Sequence, residues 1–201
     1  MKLIAITPEQ SVEHESTFIS AILEHGFDYV HVRKPGYKMS EMRRYVSSIP
    51  AQYHNRLKLH SHFSLISEFD IAGLHINRHA SLIPTGISRP IKLSKSCHDV
   101  NELTDLGEYE YVFLSPIFDS ISKHGYKSKF TQDSLTGTLH SPCVKGEIIA
   151  LGGITPDHLP DISAMGFAGA AFLGYLFNGT SINELNEKLT NIKTYIQCYN
   201  L

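Results

Sequence analysis

The sequence contains no tryptophan and only three cysteines, Cys97, Cys143 and Cys198. They are odd in number, far apart and never in C-x-x-C spacing, which argues against a disulfide framework or a thiolate zinc knot. A reducing cytoplasm suits them. No run of 18 apolar residues occurs, and the opening MKLIAITP turns polar too soon for a secretory signal. A soluble chain without a membrane partner is expected. The formal net charge is only −2, with 19% charged and 42% hydrophobic residues. There is thus no broad field to draw in nucleic acid, and no compositional sign of disorder. Any anionic ligand has to be met by local groups. Linkers, low-complexity tracts and long charge runs are also missing, so a single domain over residues 1–201 is expected.

What is present is a repeat of short apolar runs with helical stretches between them. Eight runs stand out: KLIAIT (2–7), FDYVHVR (27–33), RLKLHSH (56–62), GLHIN (73–77), IKLSKS (91–96), YVFLSP (111–116), EIIALGG (147–153) and GAAFLG (169–174). Near-continuous hydrophobic strands of this kind belong to a parallel sheet covered on both faces. Alternating strands and helices predict an α/β protein, a (β/α)8 TIM barrel, although 201 residues is short for that fold. A doubly wound open sheet is the alternative. Ser40 is placed to cap a helix running toward Ser48, Asp99 with Glu102 to open one reaching Leu106, and Thr155–Pro156 to start a short helix closed by Gly166. Ser181 and Glu184 form a capping box ahead of an apolar stripe of Ile182, Leu185, Leu189, Ile192, Ile196 and Tyr199. After strands 3 and 4, SLISEFD and HASLIPTGI leave room for shortened helices only.

A barrel concentrates its chemistry where strands end. Those ends carry Thr7, His31, Arg33, His60, His62, His75, Asn77, Ser96, His98, Ser120, Ser122, Lys123, Gly152, Gly153 and Gly174. Unpaired polar groups in a buried sheet cost about 1–3 kcal/mol each, so their clustering is informative. ALGGITP offers backbone N–H groups unobstructed by side chains and then a helix start, which suits phosphate; the plain alternative is a tight turn needing glycine. Gly174 adds to the phosphate reading. Ser120 and Ser122 fall on one side of their loop with Lys123 beside them, a set suited to diphosphate or, equally, to an exposed serine-rich loop. Arg33 lies two residues from His31 on the same side of its strand, suited to an anion or simply reaching water. His31, His60 and His75 end three successive strands, and facing inward they share a metal, a proton or ordinary hydrogen bonds. Asp119 is the nearest acid. The neighbours Cys97 and His98 point apart and are discounted as a nucleophile pair.

The ordered strand ends resemble the thiamine phosphate synthase family and its relative, thiazole tautomerase, over nearly the whole chain. YVHVRK stands for V-Q-L-R-E-K, GLHIN for G-V-H-L-G, and SKSCHDVNE for G-V-S-x-H-x-x-E. YVFLSPIFDSISK stands for Y-x-x-x-G-P-x-F-x-T-x-T-K, ALGGI for A-I-G-G-I, and GFAGAAFLG for G-A-x-G-V-A-V-x-S. The resemblance implies a transferase of thiamine biosynthesis. In it a pyrimidine methyl diphosphate loses diphosphate with magnesium assistance, and the nitrogen of thiazole phosphate captures the carbocation to give thiamine phosphate. It places Ser120, Ser122 and Lys123 on diphosphate and thiazole, Arg33 and Ser96 on diphosphate, and Gly153 with Gly174 on the thiazole phosphate.

The candidate catalytic set is therefore Arg33, Ser120, Ser122, Lys123, His31 and His60. The candidate substrate and phosphate set is Ser96, Gly152, Gly153, Gly174, His75 and Asn77, and the nearest metal candidates are His60 and Ser61. Four departures accompany the match. Lys34 and Pro35 replace a glutamate and a lysine, and His60 and Ser61 replace an Asn-Asp pair whose aspartate binds magnesium. After strand 4 only Asn77, Arg78, His79 and Ala80 stand where a second magnesium carboxylate is expected, and Pro116 takes the position of the tautomerase histidine. A tautomerase-like isomerase, using His31, His60 or His124 as base, and a binding protein for thiazole phosphate or thiamine phosphate are the other readings. A homodimer is open to all three.

Overall fold

Every one of the eight apolar runs is a strand: β1 Lys2–Ile6, β2 Tyr29–Val32, β3 Leu57–Leu59, β4 Gly73–Ile76, β5 Lys92–Cys97, β6 Tyr111–Leu114, β7 Ile148–Leu151 and β8 Gly169–Phe172. They pair in chain order, all parallel, and β8 returns to β1, so the sheet is a closed barrel rather than the doubly wound alternative. The computed structural model describes residues 1–104, 106–119 and 130–201. Ser120, Ser122, Lys123 and His124 lie outside the described residues.

Two apolar layers hold the barrel. The outward face of the strands, with Val30, Val32, Leu57, Leu59, Val112, Leu114 and Phe172, packs against the surrounding helices, turns and loops in a large buried cluster. The alternating residues Ile4, Ile6, Tyr29, Tyr111, Phe113, Ile149 and Ala171 form a second cluster inside the barrel. A side-chain period of two is what separates them.

The helical coat is uneven. Among the described residues it comprises α1 Glu15–Glu24, α2 Met39–Ser48, α3 Gln132–Leu139, α4 Leu159–Ala164, α5 Gly174–Phe177 and α6 Ile182–Tyr199. α6 starts on the expected box: Ser181 Oγ accepts from Glu184 N, while the Glu184 carboxylate accepts from Ser181 N at 2.7 Å. Leu185, Leu189 and Ile192 bury its stripe, whereas Ile182 and Tyr199 at the two ends are exposed. α2 is capped by Lys38 rather than Ser40, because Glu41 Oε2 accepts from Lys38 N at 2.7 Å. Between β3 and β4 there is one short 3-10 turn, Phe63–Ser67, and between β4 and β5 no helix at all. Pro84, Gly86 and Pro90 break that second stretch. The expected helix to Leu106 contracts to the 3-10 turn Val100–Glu102, because Asp99 accepts from Asn101 N and Glu102 folds back to His98 N. None of the helices among the described residues is long and apolar enough to cross a membrane.

Candidate functional site

β2, β3, β4 and β5 turn polar side chains into the barrel and thereby build its floor. Lys58 on β3 is wholly buried, its ammonium 2.7 Å from the Glu110 carboxylate and 4.1 Å from the centre of the Tyr111 ring. Burial pushes this lysine down to about 8, against the pull of Glu110. Glu110 is held below the usual carboxylate range: burial acts to raise it, and Lys58, Lys92 and Tyr29 together outweigh that. Glu110 Oε1 also accepts from Tyr29 Oη at 2.9 Å, and Lys92 donates to Tyr29 Oη at 2.7 Å.

Two residues beyond Lys58 and on the same side, directly after β3, stands His60. The three strand-end histidines converge, with ring centroids 5.1 Å apart for His31 and His60, 5.3 Å for His31 and His75, and 4.0 Å for the stacked pair His60 and His75. His31 Nδ1 lies 2.9 Å from His60 Nε2, and His31 Nε2 lies 2.6 Å from Tyr111 Oη. The ring nitrogens of His75 face Ser94 Oγ at 3.1 Å and Ser96 Oγ at 3.0 Å. Within a neutral imidazole one nitrogen donates and the other accepts, so Tyr111, His31 and His60 form a chain in which the direction of one hydrogen bond sets the next.

Burial is the main reason that all three imidazoles titrate well below the ordinary histidine range, His75 down to about 3; neighbouring histidines, Lys58 and Arg33 add to it. The folded protein keeps them neutral where an unfolded chain, with histidines near 6.5, takes up protons. Below pH ~6.5 the unfolded state therefore binds more protons, and stability falls as the pH falls. For His75 alone the loss reaches about 2 kcal/mol by pH 5, at ~1.4 kcal/mol per pH unit. Urea unfolding from pH 8 to pH 5 should show that decline, and His75→Asn should remove its share. A flat profile for the unmodified chain overturns the assignment of neutral histidines.

At the mouth above this floor, Arg33 ends β2. Its backbone N–H donates to Thr7 Oγ1 at 2.9 Å, and its guanidinium meets Glu9 at 2.7 Å. Lys34 does not share the mouth. It is buried outside the barrel lumen, 2.8 Å from the equally buried Glu15 carboxylate, with Pro8 O accepting at 2.7 Å. The motif YVHVRK thus brings one cation to the site and puts the other into the structure. Asn77 is also occupied, donating to His60 O and His75 O and accepting from His79 N and Ala80 N, so it ties the ends of β3 and β4 together. Ser61 Oγ is buried and has no hydrogen-bond partner among the described residues. His98 leaves the floor and bonds Ser115 O at 3.1 Å, while Cys97 faces the apolar layer.

Across the mouth, the turn after β7 has φ +98° at Gly152 and +67° at Gly153. A Cβ on Gly153 would lie 2.3 Å from Asp119 O, and one on Gly152 would lie 2.9 Å from the Pro116 backbone. The turn is therefore pressed against the loop after β6, and Phe118 N donates to Gly152 O at 3.1 Å. Gly174 begins α5 just after β8, the strand paired with β7.

The magnesium that the resemblance implies does not fit the described residues. The ends of β3 and β4 supply His60, Ser61, Asn77, Arg78 and His79 and no carboxylate, whereas magnesium demands hard oxygen ligands. Sequence reasoning had no place for Lys58, Glu110, Tyr111 and Ser94. Reading RLKLHSH and IKLSKS with period two would have set Lys58 with His60, and Ser94 with Ser96.

Known proteins resemble the chain along nearly its whole length. The family model described as thiamine monophosphate synthase matches residues 3–176. A thiamine-phosphate synthase of Pediococcus pentosaceus is 22% identical over 96% of this chain and 95% of its own length. Among solved structures, a thiamine phosphate pyrophosphorylase from Bacteroides thetaiotaomicron superposes with a TM-score of 0.85 at 32% identity, covering 98% of both chains. One from Pyrococcus furiosus superposes with a TM-score of 0.77 at 15% identity over 98% of this chain and 96% of its own. A strand-by-strand match of this extent, together with the closed barrel, makes this chain a member of the thiamine monophosphate synthase family.

Proposed function

We propose that the chain performs the coupling reaction of its family in the cytoplasm. The methylene C–O bond of a pyrimidine methyl diphosphate breaks with departure of diphosphate, and a C–N bond forms to the nitrogen of thiazole phosphate. The observation that carries this reading is the pairing of Arg33 with the Gly152–Gly153 turn at one end of the closed barrel, on strands three places apart around the ring. Two phosphorylated substrates are thereby anchored from nearly opposite sides. A fixed cation at the leaving diphosphate stabilises charge as it develops, and the pressed glycine turn presents main chain without side chains to the thiazole phosphate. No nucleic acid or membrane takes part.

One observation favours a second reading. The chain of Tyr111, His31 and His60 offers neutral proton donors and acceptors at the floor, as a thiazole phosphate isomerase requires. Supplying both substrates and measuring diphosphate and thiamine phosphate tests the first reading. We expect stoichiometric formation of the two products, and a fall of roughly 100-fold or more in Arg33→Ala. Deuterium uptake from solvent into the thiazole without coupling identifies the isomerase instead, and binding with neither result overturns both.

A further inference from the structure

We propose that His31, His60 and His75 together form a site for one zinc-class divalent cation, with a fourth coordination position open toward the mouth of the barrel. This is a different site from the carboxylate-bound magnesium of the resemblance, and it does not depend on which reaction the protein catalyses.

One ring nitrogen from each histidine lies within 4.8 Å of the others. Zinc–nitrogen bonds of about 2.0–2.1 Å put the ligand atoms of a tetrahedral ion roughly 3.3 Å apart. His31 Nδ1 and His60 Nε2, at 2.9 Å, need to separate only slightly to admit an ion. His31 and His75 rise from β2 and β4, and His60 from the residue directly after β3, whose N–H still donates to Val32 O at 3.2 Å, so the ligands sit on hydrogen-bonded backbone. The outer hydrogen bonds that orient metal-bound imidazoles are in place for two of them: His31 Nε2 against Tyr111 Oη at 2.6 Å, and His75 Nδ1 against Ser94 Oγ at 3.1 Å. His75 leaves its stack with His60 and exchanges the Ser96 hydrogen bond for the metal bond, keeping the one to Ser94.

The donor set selects the ion. Three imidazoles suit zinc, cobalt or nickel and are poor ligands for magnesium or calcium. Because all three ligands are neutral, the bound ion keeps its full double charge, with Lys58 below it and Arg33 above. An anionic oxygen in the open position offsets that charge, so the ion and a phosphoryl anion should each tighten the binding of the other.

Cobalt(II) makes the site visible. Metal-stripped protein titrated with Co2+ should develop the intense visible bands of four-coordinate cobalt, saturating at one equivalent. Zn2+ should abolish them and Mg2+ should not. Inorganic diphosphate should shift the bands and strengthen cobalt binding. His60→Asn and His75→Asn should weaken binding by about 100-fold or more, whereas His14→Asn, at an exposed histidine, should leave it unchanged. If the histidine variants fail to fold, as judged by circular dichroism, Tyr111→Phe provides the same test through the outer hydrogen bond, with an expected loss of roughly 10-fold or more. A weak six-coordinate spectrum, bands that survive in the histidine variants, or indifference to diphosphate would overturn the proposal.

Discussion

Glu15→Ala is expected to cost about 3–5 kcal/mol of folding stability, the range for removing one partner of a buried ion pair. The Glu15 side chain is 3% exposed and that of Lys34 is fully buried. The Glu15 carboxylate also accepts from Tyr45 Oη at 2.6 Å and from Val12 N at 3.1 Å. Alanine strands all three donors at once, leaving the Lys34 ammonium with Pro8 O, Gln10 O and the face of the Tyr45 ring among the described residues. For a chain of this size the loss corresponds to a fall in melting temperature of roughly 6–20 °C. The pair itself contributes far less than the single substitution suggests, because each charge gave up its hydration to enter the interior. Combining Glu15→Leu with Lys34→Met should therefore recover most of the stability. Urea unfolding of the three proteins decides the matter: a loss below about 1 kcal/mol in Glu15→Ala would mean that Lys34 reaches water or sheds its proton without cost.

The second large effect is expected at Gly153. A side chain there meets two penalties at once, a left-handed φ of +67° and a Cβ position 2.3 Å from a main-chain oxygen. The conformational part is worth about 1–2 kcal/mol and the crowding about 1–3 kcal/mol, so Gly153→Ala should lose roughly 2–5 kcal/mol. Gly36→Ala is the matched control: nothing lies within 4 Å of its added Cβ, and the change should stay within about 0.5 kcal/mol. Under the proposed function the Gly153 variant should also lose affinity for thiazole phosphate, since moving the Asp119 carbonyl displaces the turn. Equal stability of the two variants would show that the loops after β6 and β7 part without cost.

The barrel was legible because its strands are buried on both faces and spell themselves as continuous apolar runs. α6 was legible for a different reason, since its box and stripe are local signals within one element. The histidine cluster could be anticipated because consecutive strand ends become neighbours in any parallel barrel. Less could be read where a partner is remote in sequence. Lys34 and Lys58 look like ordinary surface lysines, and only Glu15, 19 residues away, and Glu110, 52 residues away, explain their burial. Local competition hid the rest: Glu41 bonds to Lys38 N and so moves the start of α2 off Ser40, and Glu102 bonds to His98 N and halts the expected helix. The hydroxyls and ammonium of Ser120, Ser122 and Lys123 lie outside the described residues, so their role rests on the resemblance.

The bare sector of the coat, from β3 through β5, has a kinetic meaning. Among the described residues, the connections that follow β3, β4 and β5 hold two 3-10 turns, Phe63–Ser67 and Val100–Glu102, and the stretch carrying the exposed Leu82 and Ile83, with no α-helix. Amide protons there should exchange with solvent before those of β1, β2 and β8, because fewer buried contacts have to be broken to open it. His60, His75 and Ser96 all belong to this thin wall, so the strand ends that carry them rely on the barrel's own ladder of hydrogen bonds more than on a helical backing.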